Sequence, residues 1–117
     1  MGKALNAQEI LALDDMKRVE VDVPEWGGSV LVRSLTRREM DEWDASRWVA
    51  GPDGKLVWNG ENIEARFTAL CAVDDEGNRL FDDAETLGTK NAVAVGRIFA
   101  AAQKVNGIGV EAGAKNS

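Results

Sequence analysis

VEVDVPEWGGSVLVRSLTRREMDEW, residues 19–43, decides the fold class. Val19, Val21 and Val23 alternate with Glu20 and Asp22, the two-residue period of a half-buried strand. Pro24 has no N–H to give to a ladder and ends the run. Gly27 and Gly28 permit positive φ, so the chain can reverse there. Val30, Val32 and Leu35 lie among the apolar residues of a return strand over residues 29–35. Two such strands about a Gly-containing loop predict an antiparallel hairpin. Thr36 with Glu39 three residues on is a capping box: the hydroxyl accepts the N3 amide and the carboxylate reaches back to the Thr amide. A helix is predicted over residues 37–48, with Met40, Trp43 and Arg47 on one face and Trp48 beside them. A lone hairpin is marginal in water, so a covering helix is physically needed.

Working outward, residues 1–13 read as a loose arm or a short helix. Downstream, Gly51-Pro52-Asp53-Gly54 is a turn, since Pro presets φ and Gly supplies the awkward conformer. Trp48-Val49 and Leu56-Val57-Trp58 can pair around it as a second short hairpin; equally, Trp48 can end the preceding helix. A second helix is predicted over residues 61–73, with Ile63, Phe67, Leu70 and Cys71 at helical spacing. DDEGNR, residues 74–79, is a turn. Asp82 and Glu85 suggest a weak capping box over a short helix that Gly88 stops. Thr89 is placed to cap the last helix, on which Val95, Ile98, Phe99, Ala102 and Val105 share a face, and Asn106-Gly107 ends it. The expected architecture is α+β: an N-terminal antiparallel hairpin followed by a mostly helical small domain with three main helices. One globular domain over residues 14–107 is expected, with the arm before it and a flexible tail over residues 108–117.

Composition narrows function. The 117 residues carry a net charge of −6 and a pI near 4.6, which argues against a nucleic-acid backbone or an anionic membrane as partner. Residues 61–85 hold eight acids against Arg66 and Arg79, while residues 86–117 are net basic. That asymmetry reads as a solvated face with helix-end preferences, or as a means of orienting subunits or a basic partner. No stretch reaches membrane-spanning length and no secretory signal is visible. The chain begins Met-Gly, but Asn6 stands where a myristoylation signal prefers Ser or Thr. A soluble cytoplasmic protein is expected.

Chemistry is sparse. The chain has no His, which removes the commonest general base and metal ligand. Cys71 is the single cysteine and sits in the apolar run FTALCAV, where a structural thiol is the expected role. GGSVLVRS lacks the Lys-Ser/Thr of a phosphate loop and leads into a strand. AVDDEGNRLFDD has calcium-like acids, but with Asp74 first the sixth position is Arg79 where an EF-hand needs Gly. No catalytic residue, metal ligand or cofactor is expected, and the chain is not expected to be an enzyme. What remains is surface for protein contact. Four Trp are generous for this length, and Trp is favoured at interface hot spots. Trp43 reads as core. Trp26, Trp48, Trp58, Val95 and Phe99 are the candidate partner-binding residues.

Two segments together, DDMKRVEVDVPEWGGSVLVRSLTRREMDEW and NIEARFTALCAVDDEGNRLFDDAETLGTKNAVAVGRIFAAAQKVNGIG, resemble the tail assembly chaperones of long-tailed bacteriophages and prophages. The likeness lies in the order of features over about residues 14–109. The resemblance implies a mainly helical fold with a small β-hairpin and no catalysis. It implies binding to the long, helical tape measure protein, which is kept soluble while tail tube protein polymerises around it. It further implies self-association, residence in the cytoplasm of the infected or lysogenic host, and absence from the finished virion. A structural tail or head–tail joining protein is the alternative. An apolar surface between the last helix and the hairpin is the expected seat for client helices. Lys115-Asn116 is compatible with a slippery codon run and a longer frameshifted product.

Overall fold

The computed structural model describes residues 2–108. The order of elements is α1 Ala7–Leu11, β1 Arg18–Val23, β2 Gly28–Arg33, α2 Arg37–Ser46, β3 Trp48–Ala50, β4 Leu56–Trp58, α3 Ile63–Cys71, β5 Ala72–Val73, α4 Ala84–Leu87 and α5 Ala92–Val105. The chain is α+β, with the N-terminal hairpin followed by three main helices, α2, α3 and α5.

β1 and β2 pair antiparallel, Val19 against Val32 and Val21 against Val30. The reversal is a 3-10 turn over Pro24–Trp26, closed by Gly27 at φ 73°. That φ belongs to the left-handed region, where a Cβ is costly. Thr36 caps α2 as a full capping box, with Glu39 N–H donating to Oγ1 at 3.1 Å and Thr36 N–H donating to Glu39 Oε1 at 2.9 Å.

α2 stops at Ser46, two residues short of the expected end, and Trp48 starts β3. The second hairpin wins because its turn is strong: Gly51 N–H donates to Lys55 O at 2.7 Å and Asn59 N–H to Arg47 O at 2.6 Å. The second helix also ends early. Ala72 and Val73 leave α3 as a strand, pairing with Val32 and Leu31 of β2. An apolar run of this length satisfies either period. The far edge of β2 would otherwise leave buried backbone groups without partners. β5 in turn is covered by the returning chain, Leu80 N–H donating to Ala72 O at 3.0 Å.

Two caps differ from expectation. Asp83, not Asp82, caps α4 by accepting Thr86 N–H at 2.9 Å. Asn91, not Thr89, caps α5 by accepting from the N–H of Val93 and Ala94. Thr89 instead donates its hydroxyl to Thr86 O. In both cases the cap is the residue that directly precedes the first helical turn, where a side-chain oxygen reaches the N2 or N3 amide.

α5 packs across β1 and β2 on one side and against α3 on the other. Val23, Val32, Trp43, Phe67, Cys71 and Ile98 form the centre of the main core. Phe67 stands 5.0 Å from the Trp43 ring and edge-on to Phe99 at 6.0 Å. Ala65, Ala69, Leu87 and Val95 make a smaller cluster beside it. Asn106 fastens the end of α5: its Oδ1 accepts Leu35 N–H at 2.7 Å and its Nδ2 donates to Ala102 O at 2.8 Å.

Arg33, at the end of β2, grips Glu39 of α2 through both guanidinium nitrogens at 2.9 and 3.1 Å and donates to Leu70 O at 3.0 Å. It thereby joins sheet, α2 and α3. The Arg33 guanidinium holds the Glu39 carboxyl below its ordinary range, aided by the Thr36 amide. A depressed carboxyl contributes stability at neutral pH that is lost as pH falls below the unfolded value. Glu39→Gln keeps an amide able to serve the capping box but loses the ion pair. The expected cost is about 1–2 kcal/mol at pH 7, discounted because the pair is partly solvated. The gap between wild type and variant should start to close as pH falls past the free Glu value, about 4.3, and close fully only below the lowered folded-state value. Urea melts at pH 7 and pH 3.5 measure both.

Candidate protein-contact surfaces

The β3–β4 hairpin is a separate two-stranded sheet and contributes nothing to the core. Trp48 lies directly opposite Trp58, and Ala50 opposite Leu56, so all four share one face. The bonds at Arg47–Asn59 and Gly51–Lys55 flank these positions. That places Trp48–Trp58 at a non-hydrogen-bonded pair, where side chains stand closest. Trp48 is 49% exposed, Trp58 57% and Leu56 71%, with Val49 and Val57 exposed on the reverse face. The Trp58 ring covers Gly60, where a Cβ would run into the indole.

Arg66 of α3 holds the feet of this hairpin. Its guanidinium donates to Asn59 O at 2.7 Å, Ser46 O at 3.3 Å and Glu61 O at 3.0 Å, and lies 5.2 Å over the Trp43 ring. Three carbonyl acceptors use the fixed fork of Arg in a way Lys cannot reproduce. The hairpin is thus presented on a rigid mount while its apolar faces meet solvent.

Two of the grooves elsewhere bear on the expected contact surfaces. One, of about 390 Å³, runs between α2 and α5 over a floor of Trp43, Phe67 and Phe99, with Arg37 and Arg47 among its lining. The other, of about 570 Å³, runs between β1 and α5, lined by Val19, Val21, Ala101 and Val105 with Lys17 and Lys104. An apolar recess between the last helix and the hairpin is therefore present. Neither Val95 nor Phe99 lines it.

The five candidate contact residues do not form one surface. Trp48 and Trp58 come together on the exposed hairpin. The 3-10 turn folds Trp26 back, half-buried, against both core clusters. Val95 is 7% exposed and belongs to the smaller cluster, so it is core rather than contact surface. Phe99 is half-buried, edge-on to Phe67 at the floor of the α2–α5 groove. Leu56, Val49 and Val57 are exposed on the same hairpin as Trp48 and Trp58 and are not among the candidates read from the sequence; the Gly-Pro-Asp-Gly turn between two apolar triplets is the available signal. Lys115-Asn116 and nearly all of the expected tail fall outside the described residues.

Charged groups mostly build local structure. Asp74 accepts the N–H of Glu76 and of Asn78, both at 2.9 Å, and these amides, Asn78 first, keep its carboxyl below the usual range. The acidic run is a turn built around its own first residue. Arg97 of α5 pairs with Glu25 of the hairpin turn at 2.7 Å and lowers that carboxyl. Burial pushes the Cys71 thiol up to about 12, although Arg33 and the Asn106 amide oppose it, so it stays a thiol at neutral pH. Among the described residues, no three or more His, Cys, Asp or Glu side chains gather to hold a metal ion. No helix among them is long and apolar enough to cross a membrane. No protein-family model, no curated protein and no solved structure matches this chain.

Proposed function

We propose that the chain is a non-catalytic tail assembly chaperone of a long-tailed bacteriophage or prophage. It binds the helical tape measure protein in the host cytoplasm, keeps it soluble, promotes tail tube polymerisation around it, and is left out of the mature virion. The observation that carries the reading is the β3–β4 hairpin. Trp48, Leu56 and Trp58 stand exposed on one face of a sheet with no share in the core, on a mount fixed by Arg66. Contiguous exposed apolar surface marks a contact site. Two exposed indoles on one face offer stiff apolar area that loses little entropy on binding, suited to the apolar stripe of an amphipathic helix. The resemblance in order of features over about residues 14–109 to such chaperones supports the tape measure protein as the client.

Two measurements test this together. Co-expressed with a segment of the neighbouring tape measure protein, the chain should hold that segment in the soluble fraction and co-purify with it. Mass spectrometry of purified particles should find tube and tape measure proteins without this chain. A stoichiometric signal in the particles would instead make it a structural tail or head–tail joining protein.

A further inference from the structure

The sheet order is β1–β2–β5, so β1 is an edge. The register fixes which backbone groups face outward. Ser34 N–H donates to Lys17 O at 2.8 Å, and hydrogen-bonded pairs alternate along an antiparallel ladder. Val19, Val21 and Val23 therefore spend their N–H and C=O groups on β2. Those of Arg18, Glu20 and Asp22 point away from it, into the open side of the sheet. The opposite edge is not equivalent, because β5 is two residues long and the returning chain already bonds it.

The outward edge of β1 is one wall of the 570 Å³ groove, and α5 is the other. Val19 is 39% exposed there, and Ala101 is small enough to leave room for a backbone. A helix laid in this groove would leave the row of strand donors and acceptors unmatched, whereas an extended segment meets them at its own two-residue spacing. On the face turned from α5 the edge reads Arg18, Glu20, Asp22, none of them in an ion pair among the described residues. A fourth strand running antiparallel would be matched by two cations opposite Asp22 and Glu20 and an acid opposite Arg18, since opposite charges facing across strands attract. A second copy fits poorly. Pairing β1 with β1 so that Arg18 meets Asp22 sets Glu20 against Glu20, and like charges directly opposite repel.

We infer that the β1–α5 groove is a strand-addition site for an extended segment of a partner protein. The segment bears alternating apolar residues toward α5, and two cations followed by an acid on the other face. This surface is distinct from the β3–β4 hairpin and does not rest on the chaperone reading.

The probe is the acetylated, amidated peptide Lys-Val-Lys-Val-Glu, read by amide hydrogen exchange on the intact protein. At millimolar peptide the amides of Arg18, Glu20 and Asp22 should exchange at least fivefold more slowly, with β3 and β4 unchanged. The peptide N-methylated at the backbone nitrogens of both lysines and the glutamate, which can neither donate to the edge nor approach it closely, should give no protection. The charge-reversed peptide Glu-Val-Glu-Val-Lys should protect wild type weakly and the Glu20→Lys/Asp22→Lys protein well. Both substituted side chains are exposed, and an unchanged melting temperature would show that this protein is folded. No protection by any peptide overturns the site, and equal protection by both charge patterns overturns the partner chemistry. Protection that grows with protein concentration alone replaces the partner with a second copy.

Discussion

Replacing Trp48 and Trp58 together by serine should cut the tape measure segment recovered with the purified chain at least tenfold. Aromatic anchors at interface centres cost about 2 kcal/mol or more each when truncated, and tenfold corresponds to about 1.4 kcal/mol. The same change should barely move thermal unfolding. Both rings are about half exposed and neither belongs to a core cluster. Directly opposed strand positions couple by at most about 1 kcal/mol, and here only within the hairpin. Recovery and melting temperature measured on one preparation separate the outcomes. Lost recovery with intact melting supports a contact role. Unchanged recovery removes the hairpin as the client site. Lost melting would make the indoles structural.

Phe67→Ala should show the opposite signature. Phe67 is 1% exposed and touches both Trp43 and Phe99, so the change opens a cavity where sheet, α2, α3 and α5 meet. Such truncations cost about 3–5 kcal/mol, against about 5–15 kcal/mol for a whole domain. A fall in melting temperature of about 12–20 °C is expected for a chain this size. Phe67→Leu, closer in volume, should cost about 1–2 kcal/mol. Calorimetry of the two variants measures the difference. Equal small losses would mean that the core is not centred on this ring.

What was legible in the sequence was local. The Val alternation, the Pro-Glu-Trp-Gly-Gly reversal and the Thr36–Glu39 box each act within a few residues; the alternation and the box stand as read, while the reversal closes on Gly27 alone, with Gly28 already the first residue of β2, which ends at Arg33 rather than Leu35. Features decided across the chain were not. Whether Ala72-Val73 continues a helix or joins a sheet depends on β2, some forty residues away by sequence and adjacent in space. Trp26 sits at a turn, where burial is hard to arrange locally; a 3-10 turn and the smaller cluster around Leu87 arrange it from afar. Val95 and Phe99 lie on one stripe of α5, and period alone cannot divide that stripe between core and groove. The Trp48–Trp58 pair was visible as one of two readings, and Arg66 decides where that pair stands through three carbonyls no pattern would connect to it. The open edge of β1 needs the strand order, which hydrophobic period does not encode.

The most direct measurement of the central claim is light scattering of a tape measure segment diluted from denaturant into buffer holding the purified chain. The account predicts that scattering is suppressed as the ratio approaches one chain per binding segment, and that the Trp48→Ser/Trp58→Ser protein fails to suppress it. Scattering that rises as fast with the folded wild-type chain as without it would contradict the account.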